Sequence, residues 1–87
     1  MARDTRTPDA ERVLLSLGDS IRAHRKSLAQ SQEAMAHAID LDRTYYASVE
    51  SGKRNVSIVN LCKIATGLET TASELLLGVV WSDSRGE

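Results

Sequence analysis

The sequence has little or none of several residue types that small proteins use for stability or chemistry. Its 87 residues include no Phe, two Tyr, and only one each of Trp, Cys and Pro. A single Cys excludes an internal disulfide and a metal site built from several cysteines. Without Phe, the core has to come from aliphatic side chains and Met. With one Pro and five Gly, a linker-rich or disordered chain is not expected.

Groupings that would support catalysis or metal binding are also missing from the sequence. His24 and His37 have no second ligand at metal spacing. No nucleophile stands at a plausible spacing from a base, and no glycine-rich phosphate loop is present. We therefore expect neither an enzyme nor a protein that carries a metal or another cofactor.

Long apolar runs are absent as well. None approaches the ~20 residues that a membrane span requires. The charged start of the chain is not followed by an apolar segment of signal-peptide type. We therefore expect a cytoplasmic protein with no membrane contact.

What the sequence does contain is a series of helical patterns, in a chain whose length suits one domain. Apolar residues recur at helical spacing from about Pro8 to Ser27. The five predicted helices follow the N-cap residues Thr7, Ser31, Asp42, Ser57 and Thr71. We predict an all-α, compact five-helix domain over residues 8–81, with a flexible tail at 1–7 and a polar tail at 82–87.

Residues 31–55 hold two short helical patterns joined by a tight turn at 39–42, which is the arrangement of a helix-turn-helix. Arg43 directly follows the cap of the second helix, although a cation is disfavoured at the positive end of a helix dipole. Arg43 could donate two parallel hydrogen bonds to a guanine. Thr44 and Ser48, on the same helix face, are either base contacts or ordinary exposed residues. We predict that this helix enters the major groove of double-stranded DNA.

The charge distribution supports that interpretation, although the formal net charge is only −1. Residues 43–63 carry four cations against Glu50 alone, whereas residues 64–87 carry four acids against one Arg. The positive segment contains the predicted recognition helix and the loop after it. Such a segment favours contact with phosphates.

The two helices after the turn also have predicted inward faces. Tyr46 and Val49 are expected in the core, and Cys62 is expected there as a small hydrophobic residue. The apolar stripe of the fourth helix consists of Ile58, Leu61, Ile64, Ala65 and Leu68.

Residues from about Gly18 to Leu76 resemble the Xre-type helix-turn-helix family of phage repressors and small bacterial regulators. The matching segments are Ile21-Arg22, Arg25, Ser31-Gln32-Glu33, Met35-Ala36, Glu50-x-Gly52-Lys53-Arg54-Asn55 and Ile64-Ala65 with Leu68. Within that family, Leu41-Asp42-Arg43-Thr44-Tyr45 and Arg54-Asn55 resemble the controller proteins of restriction–modification systems. The resemblance covers about two-thirds of the chain.

The resemblance implies a fold of the lambda-repressor-like type and a homodimer formed through the C-terminal helices. It also implies a palindromic DNA operator, control of transcription and a contact with RNA polymerase. By position, the residues facing bases are Arg43, Thr44 and Ser48, and those along the phosphates are Gln32, Tyr45, Ser51, Lys53 and Arg54. Arg25 and Glu50 occupy the positions of a buried ion pair.

The chain departs from the family at two turns. Ala29 and Gln30 stand before helix two, where the family often has Gly and an apolar residue. Asp40 stands in the tight turn, where the family favours Gly. Asp tolerates a left-handed conformation better than most residues, so the turn can form.

An apolar segment, Val79-Val80-Trp81, follows helix five and has no obvious place in a five-helix core. It could close over the core of the same chain. We favour a dimer interface made with Leu75 and Leu77. The same segment supports an alternative function, in which the scaffold is an antitoxin-like or accessory module that holds a partner protein.

Overall fold

A computed structural model describes residues 7–81, so residues 1–6 of the predicted tail at 1–7, and the whole predicted tail at 82–87, lie outside the described residues. The described part is helical and has no strand, which confirms the predicted all-α fold. The five helices are α1 (Pro8–Ser27), α2 (Gln32–Ala38), α3 (Arg43–Glu50), α4 (Ile58–Gly67) and α5 (Ala72–Leu75). Within residues 7–81, no helix has both the length and the hydropathy needed to cross a membrane.

Each helix begins at the cap residue that the sequence predicts. The caps are Thr7, Ser31, Asp42, Ser57 and Thr71, and each accepts a hydrogen bond from the backbone N–H three residues later, at 2.9–3.1 Å. Such caps satisfy N–H groups that have no partner inside the helix, which is worth about 1 kcal/mol each. Short helices such as α2, α3 and α5 are not stable alone, so capping and tertiary packing together hold them.

Within residues 7–81, three turns contain a non-glycine residue in the left-handed region. They are Ala29 before α2, Asp40 before α3 and Glu69 before α5, with φ of 57°, 58° and 62°. The backbone N–H of each bonds to the carbonyl oxygen three residues earlier, at 3.0–3.2 Å. The turn at Asp40 therefore forms without the glycine that the family favours. Ala29, which has neither the freedom of Gly nor a polar side chain, is the more strained of the two departures.

Apart from Tyr46, the apolar core consists of aliphatic side chains and Met35, as expected for a chain without Phe. Its fully buried side chains include Ile21 of α1, Met35 of α2, Tyr46 of α3 and Ile64 of α4. Gly18 lets α1 and α3 approach closely, because a Cβ at this position would overlap the carbonyl oxygen of Glu50. α3 is thus packed against α1 on one side and α2 on another.

Two predicted details of α4 were wrong. Cys62 is exposed rather than buried, and Ile58 is 65% exposed. The rest of the predicted stripe on α4 is buried: Leu61, Ile64, Ala65 and Leu68. α5 ends at Leu75, so Leu76 and Leu77 lie in the turn that follows it.

Candidate nucleic-acid interface

Arg43, the longest polar side chain in the first turn of α3, is exposed to solvent. Asp42 holds the start of the helix by accepting a hydrogen bond at 2.9 Å from the backbone N–H of Tyr45. Arg43 and Thr44 directly follow the cap and are both exposed. Among residues 7–81, neither side chain takes part in a hydrogen bond or ion pair. Both are therefore available to groups outside the chain.

The opposite face of α3 is fixed by the carboxylate of Glu50, a residue that is buried. Arg25 of α1 donates to it twice, from Nε to Oε2 at 2.6 Å and from Nη2 to Oε1 at 2.9 Å. Tyr46 Oη donates to Oε2 at 2.7 Å, and Gln32 Nε2 of α2 donates to Oε1 at 2.9 Å. Arg25 also donates from Nη1 to the carbonyl oxygen of Gln30 at 2.7 Å. The structure thus brings together the two residues of the expected ion pair and adds further donors to them.

These contacts shift the pKa values of all three ionisable groups in the cluster. Burial alone would raise the pKa of Glu50, but the hydrogen bonds that its carboxylate accepts outweigh burial, and the pKa is lowered. Burial, followed by the hydrogen bond to Glu50, raises the pKa of Tyr46. The hydrogen bond to Glu50 also raises the pKa of Arg25. Glu50 is therefore an anion held inside the protein by its donors.

Gln32 is part of this cluster, although the resemblance places it on a phosphate. Its side-chain N–H donates to Glu50, and the residue is half-buried at the start of α2. A neutral amide is a suitable fourth donor because it satisfies the carboxylate without adding charge. The structure therefore gives the Gln32 side chain a structural contact, and its backbone remains at the helix start.

Tyr45 links three segments of the interface. The Cζ atom of Arg54, from the loop after α3, lies 5.1 Å from the centroid of the Tyr45 ring, which is cation–π range. Asn60 of α4 donates from Nδ2 to the Tyr45 hydroxyl oxygen at 3.1 Å. The ring itself packs against the core. Two of the expected phosphate contacts, Tyr45 and Arg54, are thereby brought together.

Ser48 of α3 and Ser51, the C-cap of that helix, make local hydrogen bonds. Ser48 Oγ donates to the carbonyl oxygen of Tyr45 at 2.6 Å, and Ser51 Oγ donates to the carbonyl oxygen of Ser48 at 3.1 Å. Each hydroxyl proton is thus directed at the helix, which leaves the oxygen as an acceptor. Lys53 is exposed in the same loop as Arg54.

The side chains expected at a dimer interface fall into two groups. Leu75 is fully buried within the single chain, so a second copy could not reach it. Val79 is half-buried against the core. Leu77, Val80 and Trp81 are 60–70% exposed and form an apolar C-terminal patch.

A second apolar surface was not expected from the sequence. Ile58, Val59 and Cys62 of α4 line a groove of about 610 Å³ that reaches Ile39 at the end of α2.

The contacts of Asn60 and Arg22 with the recognition helix were not predicted from the sequence either. Arg22 donates from Nη2 to the carbonyl oxygen of Glu50 at 3.2 Å. The sequence offers one sign that Asn60 has a role: its amide side chain stands among apolar residues in the first turn of α4.

Comparison with known proteins connects this geometry to one family. The model of the helix-turn-helix family matches residues 21–75. The control protein C.MunI of Mycoplasma sp is 53% identical over 64 residues, which cover 72% of this chain and 86% of that protein. The restriction–modification controller protein C.AhdI from Aeromonas hydrophila has a similar structure, with a TM-score of 0.69 at 44% identity, over 71% of this chain and 94% of that one.

A third relative has been solved on DNA. The restriction–modification controller protein C.Esp1396I, as a tetramer with its natural 35-base-pair operator, matches with a TM-score of 0.69 at 30% identity. The match covers 77% of this chain and 88% of that one.

Proposed function

The chain belongs to the helix-turn-helix family, among the restriction–modification controller proteins, and on this premise we propose that it binds operator DNA as a homodimer and regulates transcription. One observation carries the proposal most directly. Arg43 and Thr44 are exposed on the first turn of α3, while Glu50 and the core hold the other face of that helix. A recognition helix requires this combination, because its base-reading side chains have to be free and its axis has to be fixed.

The proposed contacts follow from the exposed groups. Arg43 donates to a guanine, Thr44 contacts a thymine methyl or a base acceptor, and Ser48 offers its oxygen on the groove side. The expected phosphate contacts are Gln32, through its backbone, and Tyr45, Ser51, Lys53 and Arg54. The cations among them supply affinity that does not depend on sequence.

A homodimer follows from the symmetry of such sites. Two α3 helices related by a two-fold axis would enter successive major grooves ~34 Å apart, and the operator would be a pseudo-palindrome. The C-terminal patch of Leu77, Val80 and Trp81 is the surface we propose between the two copies. We propose that this regulator works in the cytoplasm, together with its DNA.

Selection of binding sites from random duplex DNA with the purified protein tests the proposal. We expect an enriched motif with two-fold symmetry and half-sites one helical turn apart. Arg43→Ala, used in a parallel selection, should lose preference at one base pair of each half-site. Failure of the unmodified protein to enrich any motif, with binding that is blind to sequence, would overturn the proposal.

A further inference from the structure

Tyr45 is held at nearly every polar atom that it has. Its backbone N–H donates to Asp42 Oδ2 at 2.9 Å, and its carbonyl oxygen accepts from Ser48 Oγ at 2.6 Å. Arg54 lies over one face of the ring, and the ring is half-buried against the core. The side chain therefore has little freedom left to adjust when DNA arrives.

The hydroxyl group is the exception, and Asn60 determines how it can be used. A phenol has one proton to donate and lone pairs to accept with. Asn60 Nδ2 donates to the hydroxyl oxygen at 3.1 Å and cannot take the proton in return. Among residues 7–81, no group accepts that proton. The hydroxyl thus remains a donor directed away from Asn60.

We infer that Asn60 is a positioning residue that keeps the Tyr45 hydroxyl as a hydrogen-bond donor toward DNA. This inference rests on the proposed function. A donor in this place selects acceptors, which are phosphate oxygens or base acceptors such as guanine O6 and N7 or thymine O4. The same donor disfavours the amino groups of adenine and cytosine, because the tyrosine O–H and the amino N–H would then be two donors facing each other.

The placement of Asn60 suits this role. It lies in the first turn of α4, where Ser57 holds its backbone N–H at 3.0 Å. Tyr45 belongs to α3 and Arg54 to the loop between the two helices. The Asn60 amide thereby ties the start of α4 to the recognition helix, so the direction of the tyrosine proton depends on a helix that carries no expected DNA contact.

Asn60→Asp is the sharpest test because it keeps the shape of the side chain and replaces the donor by an acceptor. The Asp carboxylate would accept the proton of Tyr45 and withdraw it from DNA. The affinity for the selected operator should be measured for Asn60→Asp with Tyr45 present and again in a Tyr45→Phe background. We expect the loss to be about tenfold larger when the tyrosine is present, the equivalent of one hydrogen bond to a charged or strongly polar group.

Measuring Asn60→Asp with and without the Tyr45 hydroxyl separates two causes of weaker binding. One is the loss of the tyrosine donor, and the other is repulsion between the new carboxylate and the DNA phosphates. Ser57→Asp is a matched control, since it adds an acid to the same helix start at a cap position where Asp is well tolerated. Its loss should be equal in the two backgrounds. Asn60→Ala, which frees the hydroxyl without accepting its proton, should lose roughly threefold in affinity. Circular dichroism and urea unfolding confirm that each variant is folded.

The outcomes show whether the Tyr45 proton goes to a phosphate or to a base. They also separate a failure of the Asn60 inference from a failure of the proposed function. A loss on all sequences alike assigns the proton to a phosphate, and a loss at one base pair assigns it to a base. An equal effect of Asn60→Asp in both backgrounds would overturn the inference. The same result would follow if the amide were reversed, with Oδ1 already accepting the proton. Failure of the unmodified protein to prefer any sequence would instead count against the proposed function.

Discussion

Arg25 and Glu50 are joined by two parallel hydrogen bonds, at 2.6 and 2.9 Å, across the contact between α1 and α3. Both side chains are largely removed from water, with 10% and 0% of their side-chain surface exposed. A buried pair of this kind contributes little net stability by its formation, but removal of one partner leaves an uncompensated charge. The pair therefore fixes the position of α3 more than it adds to stability.

Loss of one partner should be severe. We expect Arg25→Ala to lower the free energy of unfolding by ~3–5 kcal/mol, because the carboxylate of Glu50 would remain buried without its main donor. Urea unfolding followed by circular dichroism measures the change. Asp19→Ala is the control, since it removes an ion pair whose acid is 73% exposed and should change stability by no more than about 0.5 kcal/mol. Equal effects of the two variants would contradict the expectation.

The stability should fall in acid because of Glu50. Its pKa is lowered in the folded chain, so the unfolded chain takes up a proton at higher pH than the folded chain does. The contribution is fully present above the ordinary carboxyl range and is lost as the pH falls through that range to the lowered value. Urea unfolding from neutral to acidic pH checks this. In Glu50→Gln the free energy of unfolding should depend less steeply on pH. An unchanged pH dependence would show that other carboxyl groups cause the loss of stability in acid.

Base reading and phosphate binding should separate by residue. Arg43→Ala should cost ~1–3 kcal/mol on the operator and relax preference at one base pair per half-site. Lys53→Ala should weaken binding to all sequences and reduce the salt slope by about one. Fluorescence titrations of operator and scrambled duplexes over a range of salt concentrations measure both effects. The assignment of α3 to base reading fails if Arg43→Ala keeps the full preference of the unmodified protein.

The C-terminal patch should hold the second copy. We expect Trp81→Ala to weaken dimer formation by about 2 kcal/mol or more, as a large aromatic side chain at an interface typically does. Sedimentation velocity over a range of protein concentrations measures the dissociation constant. Val59→Ser is the matched variant on the other apolar surface and should leave the dimer intact. The opposite pattern would place the interface at the groove beside α4.

The turn before α2 should accept a stabilising substitution. Ala29 has φ of 57°, a conformation that costs an L-residue about 1–2 kcal/mol. Ala29→Gly should therefore raise the free energy of unfolding by roughly 0.5–1 kcal/mol, after the greater entropy of Gly in the unfolded chain is subtracted. Asp40→Gly, at φ of 58°, should give a smaller gain because Asp tolerates this region better. Thermal unfolding of both variants checks the order, and a loss of stability in Ala29→Gly would contradict it.

The features that could be predicted from the sequence are those with local causes. The five N-caps could be predicted because each is a Ser, Thr or Asp that stands just before a helical pattern. Each cap binds the backbone N–H three residues later, so the contact is local. On α4, helical spacing predicted Ile58 and Leu61 on one inward face. Leu61 is buried, whereas Ile58, the first residue of the helix, is exposed. The spacing therefore indicates which face of a helix turns inward, but not how far along the helix the core reaches.

The side-chain clusters depend on the tertiary fold and were predicted only in part. Arg25 and Glu50 are 25 residues apart, and only the family resemblance brought them together in advance. Tyr46 was expected as a core residue, but its hydroxyl bond to Glu50 was not predicted. Asn60 and Tyr45 meet only because the loop after α3 returns α4 to the recognition helix. No local pattern encodes that approach.

The left-handed turns at Ala29, Asp40 and Glu69 also bear on how long the protein survives in a cell. Each stores a small amount of conformational free energy, and a change of 1–2 kcal/mol can alter the abundance of a protein several-fold through degradation of its unfolded form. None of the three residues is among the proposed DNA contacts. Substitutions at these turns could therefore adjust the half-life of the regulator, and with it the number of copies, while the operator it recognises stays the same.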